Sequence, residues 1–181
     1  MSKGVGLDTN IHKYSDSHPL SESRSNFALQ PTDECRIDDV EPQTWAWPSA
    51  AAFPDYVINE PSVKGGKAAL VLSLSATIDP KRITSVIGED ASIWSITVPR
   101  PHNDLIKSRE QLGQLRAILR RMFDQIKVAH GQHEALHVFP AAPVSACVEF
   151  GRVRMPKADM PWQIYDQVNS LGGFVSALTI S

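Results

Sequence analysis

The most explicit chemistry in this chain is the string His133-Glu134-Ala135-Leu136-His137, which matches H-E-x-x-H letter for letter. On a helix, two histidines four apart share a face and can ligate zinc while the glutamate acts as base. The surroundings argue against a helix: Gly131 closes the preceding helical pattern, and the string runs into a strand-like segment with Pro140 beyond. On a strand, positions i and i+4 stand roughly 13 Å apart, too far for one metal about 2 Å from each ligand. Glu149, a third carboxylate that could be recruited, falls on a separate helix. A metal-dependent hydrolase centred on this segment is therefore an alternative reading. Ser145 lies where a strand gives way to a helix, but Pro143 and Cys147 stand where a G-x-S-x-G elbow needs glycine. There is no Walker A loop and no G-x-G-x-x-G. Gly65-Gly66-Lys67 precedes a strand, the wrong order for a phosphate cradle.

A third constellation depends on where strands end. Ala68 to Ser75 is a continuous apolar run closing in small hydroxyl residues, as in a strand buried on both faces. Ser92 to Val98 is rich in β-branched residues and is stopped by Pro99 and Pro101. Between them, Asp79-Pro80 reads as an N-cap with proline at the first helical position, and Gly88 as the stop. Ser108 and Gln111 resemble a capping box, after which Leu112, Leu115, Ile118, Leu119, Met122, Phe123 and Ile126 recur at helical spacing up to Gly131. The opposite face of that helix carries Arg116, Arg120 and Lys127, read as solvated or, less simply, as a phosphate-binding face. Leu136 to Phe139 reads as a third buried strand, followed by a helix from Val144 to about Phe150. Trp162–Gln167 and Phe174–Ile180 flank turn chemistry suited to an antiparallel hairpin. Strand–helix alternation predicts a parallel α/β fold with an antiparallel edge.

In such a sheet the strand carboxyl ends converge, and ligands bind there. Those ends deliver Ser73, Ser75 and Thr77, then Thr97, Pro99, Arg100 and His102, then Phe139, Pro140 and Ala141. Pro143 opens its helix with free N–H groups at Val144 and Ser145, a small anion site. Hydroxyls and N–H donors suit phosphate, and Phe139 suits a base. Taken singly, each of these residues is ordinary loop chemistry; their common position points to a ligand. Between Arg100 and Lys157 ten cations face five acids, so a local positive field is expected, with Arg152, Arg154 and Lys157 on a loop after Gly151.

Composition separates two kinds of chain. The 181 residues carry a net charge of -2 and are 42% hydrophobic, which fits a soluble globular protein and excludes a peptide toxin or a multidomain machine. Residues 1–66 form an irregular lead-in with an acidic cluster at Asp33, Glu34, Asp38, Asp39 and Glu41. Up to Lys67 six cations face ten acids; beyond it twelve face ten. The aromatic island Trp45, Trp47, Phe53 and Tyr56 is expected to pack on the main body as irregular chain. Cys35 and Cys147 show no metal or disulfide spacing. Without a signal peptide or a long apolar span, a cytoplasmic location is expected.

Leu72-Ser73-Leu74-Ser75, Ile93-Trp94-Ser95-Ile96-Thr97, Leu136 through Ser145, Glu149-Phe150-Gly151-Arg152, Pro156-Lys157 and Ile164-Tyr165-Asp166 together resemble the SAVED domain over roughly Trp45 to Ser181. They resemble the C-terminal half of that two-unit domain. The resemblance implies a Rossmann-like (CARF-like) mostly parallel sheet with flanking helices, over 67–181, with 1–66 a remnant of a preceding unit. It implies a sensor and no enzyme, serving bacterial antiviral systems of the CBASS and CRISPR type. The sensor binds a cyclic di- or trinucleotide second messenger as activating ligand, with no cofactor. Binding drives oligomerisation and switches on an effector. The implied ligand residues are Ser73, Ser75, Thr97, Arg100, Phe139, Pro140, Ala141, Arg152 and Lys157, with Trp162 as a stacking partner. No effector motif is visible upstream, and 66 residues are too few for a first unit and an effector. The chain thus reads as a fragment, a truncated product or a free-standing protein, a homo-oligomer or one whose partner chain supplies the other half. A ligand-independent assembly module is the remaining alternative.

Overall fold

Local signals set the element boundaries closely. The computed structural model describes Trp47, residues 52–168, Ser170 and residues 173–181. They form β1 (Val57–Asn59), β2 (Ala68–Ser73), α1 (Pro80–Ile87), β3 (Ser92–Thr97), α2 (Arg109–His130), β4 (Leu136–Ala141), α3 (Val144–Val153), β5 (Trp162–Val168) and β6 (Gly173–Ile180). Most of the lead-in, including Cys35, Trp45 and the acidic cluster, lies outside the described residues, as does most of the β5–β6 turn.

Helix α1 starts where Asp79 accepts a hydrogen bond from the Lys81 N–H at 2.9 Å, and it stops at Gly88, whose φ of 109° disfavours a side chain. At the start of α2, Ser108 Oγ accepts from the Gln111 N–H at 3.3 Å. Gln111 reaches back to the Lys107 N–H, one residue before the cap, and donates its amide to the Ala52 carbonyl at 2.8 Å. The capping box thus also ties down the chain entering the domain. Trp47 and Tyr56 pack against the core as expected, whereas Phe53 is 57% exposed.

The sheet runs β1-β3-β2-β4-β5-β6. Strands β3, β2, β4 and β5 are parallel, with β1 and β6 antiparallel at the two edges. The parallel body and the terminal hairpin match the sequence reading. Strand β1 does not: it lies in the stretch read as irregular, and its three exposed residues carry no apolar alternation.

All six residues of β2 are buried. On one face Leu70, Leu72, Trp94, Ile96, Val138, Trp162 and Ile164 meet Leu115, Leu119, Met122 and Phe123 of α2 and Ala146 and Phe150 of α3. On the other, Ala69, Val71, Phe139, Tyr165 and Phe174 meet Ile83 and Ile87 of α1. Apolar burial on both sides is what the continuous run in β2 requires.

Of the three cations read on the outer face of α2, Arg116 is exposed but paired, while Arg120 and Lys127 are partly buried in bonds to other elements. Arg116 Nε donates to Glu149, a carboxylate buried in α3, and Glu149 in turn raises the arginine pKa. Arg120 makes two bonds to Asp159, at 2.6 and 2.7 Å, and a third to Asp124 at 2.9 Å. Lys127 donates to the Ala158 carbonyl at 3.2 Å. These bonds fasten α3 and the turn after it to α2. Burial pushes the Asp159 carboxyl up, but Arg120, the Met155 N–H and Lys127 together hold it below its ordinary range. Replacing Asp159 by alanine leaves a part-buried guanidinium with Asp124 and a long bond to the Val153 carbonyl. The expected loss is about 2 kcal/mol, below the ~3–5 kcal/mol of a fully buried pair because Arg120 is partly exposed. Urea unfolding measures it, and an unchanged midpoint would show that the clamp is not structural.

Candidate functional site

Three of the residues expected at strand ends lie in one row. Register pairs Ser73 with Thr97 on one side and with Ala141 on the other, so the last residues of β2, β3 and β4 stand abreast. Beyond this row the backbone groups must find other partners. Both the Leu74 and Ser75 N–H groups donate to the Ala141 carbonyl at 2.8 Å, and the His102 N–H donates to the Leu74 carbonyl at 3.0 Å. Thr97 Oγ1 donates to the Ser73 carbonyl at 3.2 Å, and Ser73 Oγ accepts from the Ile78 N–H at 3.3 Å. Ser73 and Thr97 therefore shape the rim, and Ser73 is itself buried.

The more accessible groups are Ser75, half-buried, with Thr77 and Arg100, both exposed. Helix α3 begins directly beyond Ala141, and its N-cap is Pro143, which offers no side-chain cap bond. The first helical N–H groups have no intrahelical partner, so this end of α3 presents donors and the positive end of a helix dipole. Ser145 in its first turn is buried. The chain leaves β2 through α1 on one face and leaves β4 through α3 on the other, so the carboxyl ends of β2 and β4 lie at a topological switch point, where open α/β sheets form a ligand crevice. Ser73, Thr97 and Ala141 thus stand abreast, Ser75 is tied to Ala141 through its N–H, and Arg100 follows Thr97 by three residues.

The other expected ligand residues do not join them. Phe139 is fully buried, stacked on Tyr165 at 4.6 Å and edge-on to Phe174 at 5.1 Å, so its ring belongs to the core and offers no face to a base. Pro140 is buried behind the rim. Trp162 pairs with Leu136 at the opposite end of the sheet, 1% exposed, with its ring against Phe150 at 4.5 Å and Phe123 at 5.3 Å. Stacking of Trp162 on a ligand is corrected to core packing. Arg152 sits in the last turn of α3, not on a loop, because that helix continues to Val153. A helix that leaves the carboxyl end of β4 and feeds the parallel β5 must run back along the sheet. Its C-terminus, with Arg152 and Lys157 beyond it, lies by the strand amino ends, about 20 Å from the crevice for six-residue strands. A parallel connection from β4, which must return to the strand amino ends, was the signal that could have separated these two cations from Arg100 in the sequence.

The expected positive field is also smaller than the count of cations implied. Lys107 pairs with Asp104 at 3.0 Å, and Arg116, Arg120 and Lys127 are committed as described.

His133 and Glu134 lie in a bend, and His137 lies on β4. Among the described residues, no group of three or more His, Cys, Asp or Glu side chains is gathered to hold a metal ion. His137 Nδ1 instead lies 2.9 Å from Tyr165 Oη.

Residues 25–180 match the family model described as the SMODS-associated and fused to various effectors sensor domain, SAVED. The chain belongs to the SAVED family. The SAVED match begins inside the stretch read as an irregular lead-in. Among solved structures, the Acinetobacter baumannii Cap4 SAVED/CARF-domain containing receptor with the cyclic trinucleotide 2'3'3'-cAAA matches with a TM-score of 0.55 and 15% identity. That match covers 72% of this chain and 28% of the receptor. The same receptor with 3'3'3'-cAAA matches with a TM-score of 0.51 and 16% identity, over 68% of this chain and 27% of the receptor. The chain therefore spans about a quarter of the length of these receptors, and at this identity the likeness shows the fold. A comparison with curated proteins finds no match. No helix among the described residues of this SAVED chain is long and apolar enough to cross a membrane.

Two histidines outside the crevice give the domain a pH response. Burial lowers the pKa of His137, with Lys67 adding to the effect and Glu134 opposing it. Burial likewise lowers that of His130, with Lys64 adding to it, and Trp94 Nε1 donates to His130 Nε2 at 3.2 Å, which requires the neutral ring. A folded-state pKa below the unfolded value gives stability that is present above about 6.5 and lost as pH falls through the folded value. Urea midpoints are expected to fall between pH 7 and 5, and less steeply in a His130→Gln/His137→Gln variant. NMR titration placing both pKa values at or above 6.5 would refute this.

Proposed function

We propose that this chain is a receptor unit for a cyclic oligonucleotide and that it works by recognition, without catalysis. The observation that carries the reading is the crevice between β2 and β4, with hydroxyls, Arg100 and the open start of α3 around one row of strand ends, in a SAVED sensor domain. Phosphates are met by the α3 N–H groups, by Ser75 and by Arg100. The solved receptors of the same fold are described with cyclic triadenylates, which favours a trinucleotide among the cyclic ligands. The solved receptors of the same fold are about four times as long as the stretch matched, and in this reading a further unit completes the pocket. Residues 67–181 act as the CARF-like unit, and the activated state is an assembly that switches on an effector in bacterial antiviral defence, in the cytoplasm. A ligand shifts that equilibrium only by binding the assembled state more tightly than the free one.

Isothermal titration with cyclic di- and trinucleotides, among them 2'3'3'- and 3'3'3'-linked triadenylate, tests the reading. Binding at micromolar concentration or tighter is expected. Arg100→Glu and Ser75→Glu, each setting a carboxylate against phosphate, should weaken it at least tenfold, while Arg152→Ala and Lys157→Ala leave it unchanged. No heat with any ligand at high micromolar concentration would overturn the proposal. Equal losses from Arg152→Ala and Arg100→Glu would move the site away from the crevice.

A further inference from the structure

Helix α2 also borders a groove on the surface of the domain. Ala117, Arg121, Gln125 and Val128 line one wall of this groove, which has a volume of about 640 Å³, and Glu60 and Lys64, just past β1, line the other. Glu60 joins the two walls, accepting from Gln125 Nε2 at 2.8 Å and from Lys64 Nζ at 3.1 Å. Val128 is 87% exposed, and Ile58, which its pairing with Ile96 puts on the α2 side of the sheet, is exposed as well. Arg121 is exposed and has no acidic partner among the described residues, unlike Arg116 and Arg120 on the same helix.

The chain enters the domain on this side. Gln111 ties down the Ala52 carbonyl, and Trp47 and Tyr56 pack against the α2-side core. Three polar atoms here, Trp47 Nε1, Tyr56 Oη and, one turn beyond Gln111, Gln114 Oε1, are enclosed and have no hydrogen-bond partner among the described residues. Enclosed polar groups are rarely left unpaired. The indole N–H needs an acceptor, the amide oxygen a donor, and the hydroxyl takes either; an extended backbone offers both kinds of group. The SAVED match starts at residue 25, so the stretch that leads to Trp47 belongs to the domain the family model covers. From Asp33 to Glu41 that stretch carries five acids and one cation, Arg36.

We propose that residues 38–46 of this chain are the occupant of the groove, a strap laid along α2 with Asp38, Asp39 and Glu41 toward Arg121 and with backbone groups completing the enclosed polar atoms near Trp47. Reach agrees: back from Trp47 to Glu41 an extended chain covers roughly 20 Å, and from Gln114 to Val128 the helix rises about 21 Å. Charge agrees as well, because the acids meet the one groove cation that has no acidic partner among the described residues. Val40 and Trp45 bring apolar side chains to a wall that holds Ala117 and Val128. A short covalent link to Trp47 holds the strap at an effective concentration on the order of millimolar, which a second copy or a separate partner has to outcompete. The strap involves neither the crevice nor a ligand, so its failure leaves the binding reading untouched, and the converse holds.

Nitroxide labelling of Cys35 in the ligand-free full chain tests this by NMR, since Cys147 is buried and escapes the label. Amide resonances of 60–64 and 117–128 should broaden, and those of α1, on the opposite face of the sheet, should not. Arg121→Glu should remove most of the broadening, and adding Asp38→Arg and Asp39→Arg to it should bring the broadening back. Arg121 is exposed, so the variant keeps its fold, which unchanged resonances of α1 and β6 verify. In a mixture of nitroxide-bearing chains with isotope-labelled chains that carry no nitroxide, the labelled chains should stay sharp. Broadening in that mixture would give the groove to a second copy and overturn the proposal. So would sharp groove resonances in the labelled chain itself, or broadening that Arg121→Glu leaves undiminished.

Discussion

Strand β2 is buried along its whole length, and the arrangement of the domain follows from meeting that demand on two faces at once. A strand with apolar side chains on both sides needs helices on both sides, and the chain supplies α1 on one and α2 with α3 on the other. Because β2 lies between β3 and β4, connections leave the centre of the sheet in opposite directions. The segment leaving β3 reaches the end of β2, where the His102 N–H donates to the Leu74 carbonyl, before α2 crosses to β4. The crevice is therefore a by-product of how the core is covered. Its rim is shaped by backbone groups that have run out of ladder, such as the two N–H groups that share the Ala141 carbonyl.

Much of this was legible because it is local. Asp79-Pro80 with Gly88, and Ser108 with Gln111 and Gly131, mark helix ends through bonds between residues at most five apart, and these ends fall where the sequence puts them. Apolar runs located β2, β3 and β4 for the same reason. What the sequence hid depends on pairings across the fold. Arg120 and Asp159 are 39 residues apart, and nothing in either neighbourhood says that they meet. Strand β1 escaped notice because an exposed three-residue edge strand has neither length nor alternation.

The candidate site shows the same division more sharply. Ser73, Thr97 and Ala141 were placed correctly because each ends an apolar run, and parallel runs end together. Phe139 lies on that same strand end, but its side chain points into the α1-side core, a matter of register parity and not of position along the strand. Arg152, Lys157 and Trp162 were grouped with the crevice by charge, ring chemistry and family resemblance. The reading stopped the last helix at Phe150, and an extra turn carries the chain to the far end of the sheet.

Charge has to be weighed in the same spatial way. A net charge of -2, or an excess of five cations between Arg100 and Lys157, describes a field only if the charges are free. At the strand amino ends, the polar groups are largely committed: Arg120 holds Asp159, Lys127 holds the Ala158 carbonyl, and the Leu136 N–H holds the Pro161 carbonyl at 2.8 Å. Trp162 packs beneath them. At the carboxyl ends Ser73 and Thr97 are bonded to backbone groups, the Ser75 N–H is held by Ala141 and the His102 N–H by Leu74, and the Ser75 hydroxyl, Arg100 and an uncapped helix start lie beyond. A lone arginine beside oriented N–H dipoles is a weaker field than ten cations suggest, but it is a local one. Interactions with a phosphate fall off within about a Debye length of 8 Å in physiological salt, so proximity outweighs a larger charge roughly 20 Å away. The two ends of the sheet thus differ in how they are fixed: the amino end is held by side-chain bonds between elements, and the carboxyl end chiefly by backbone bonds.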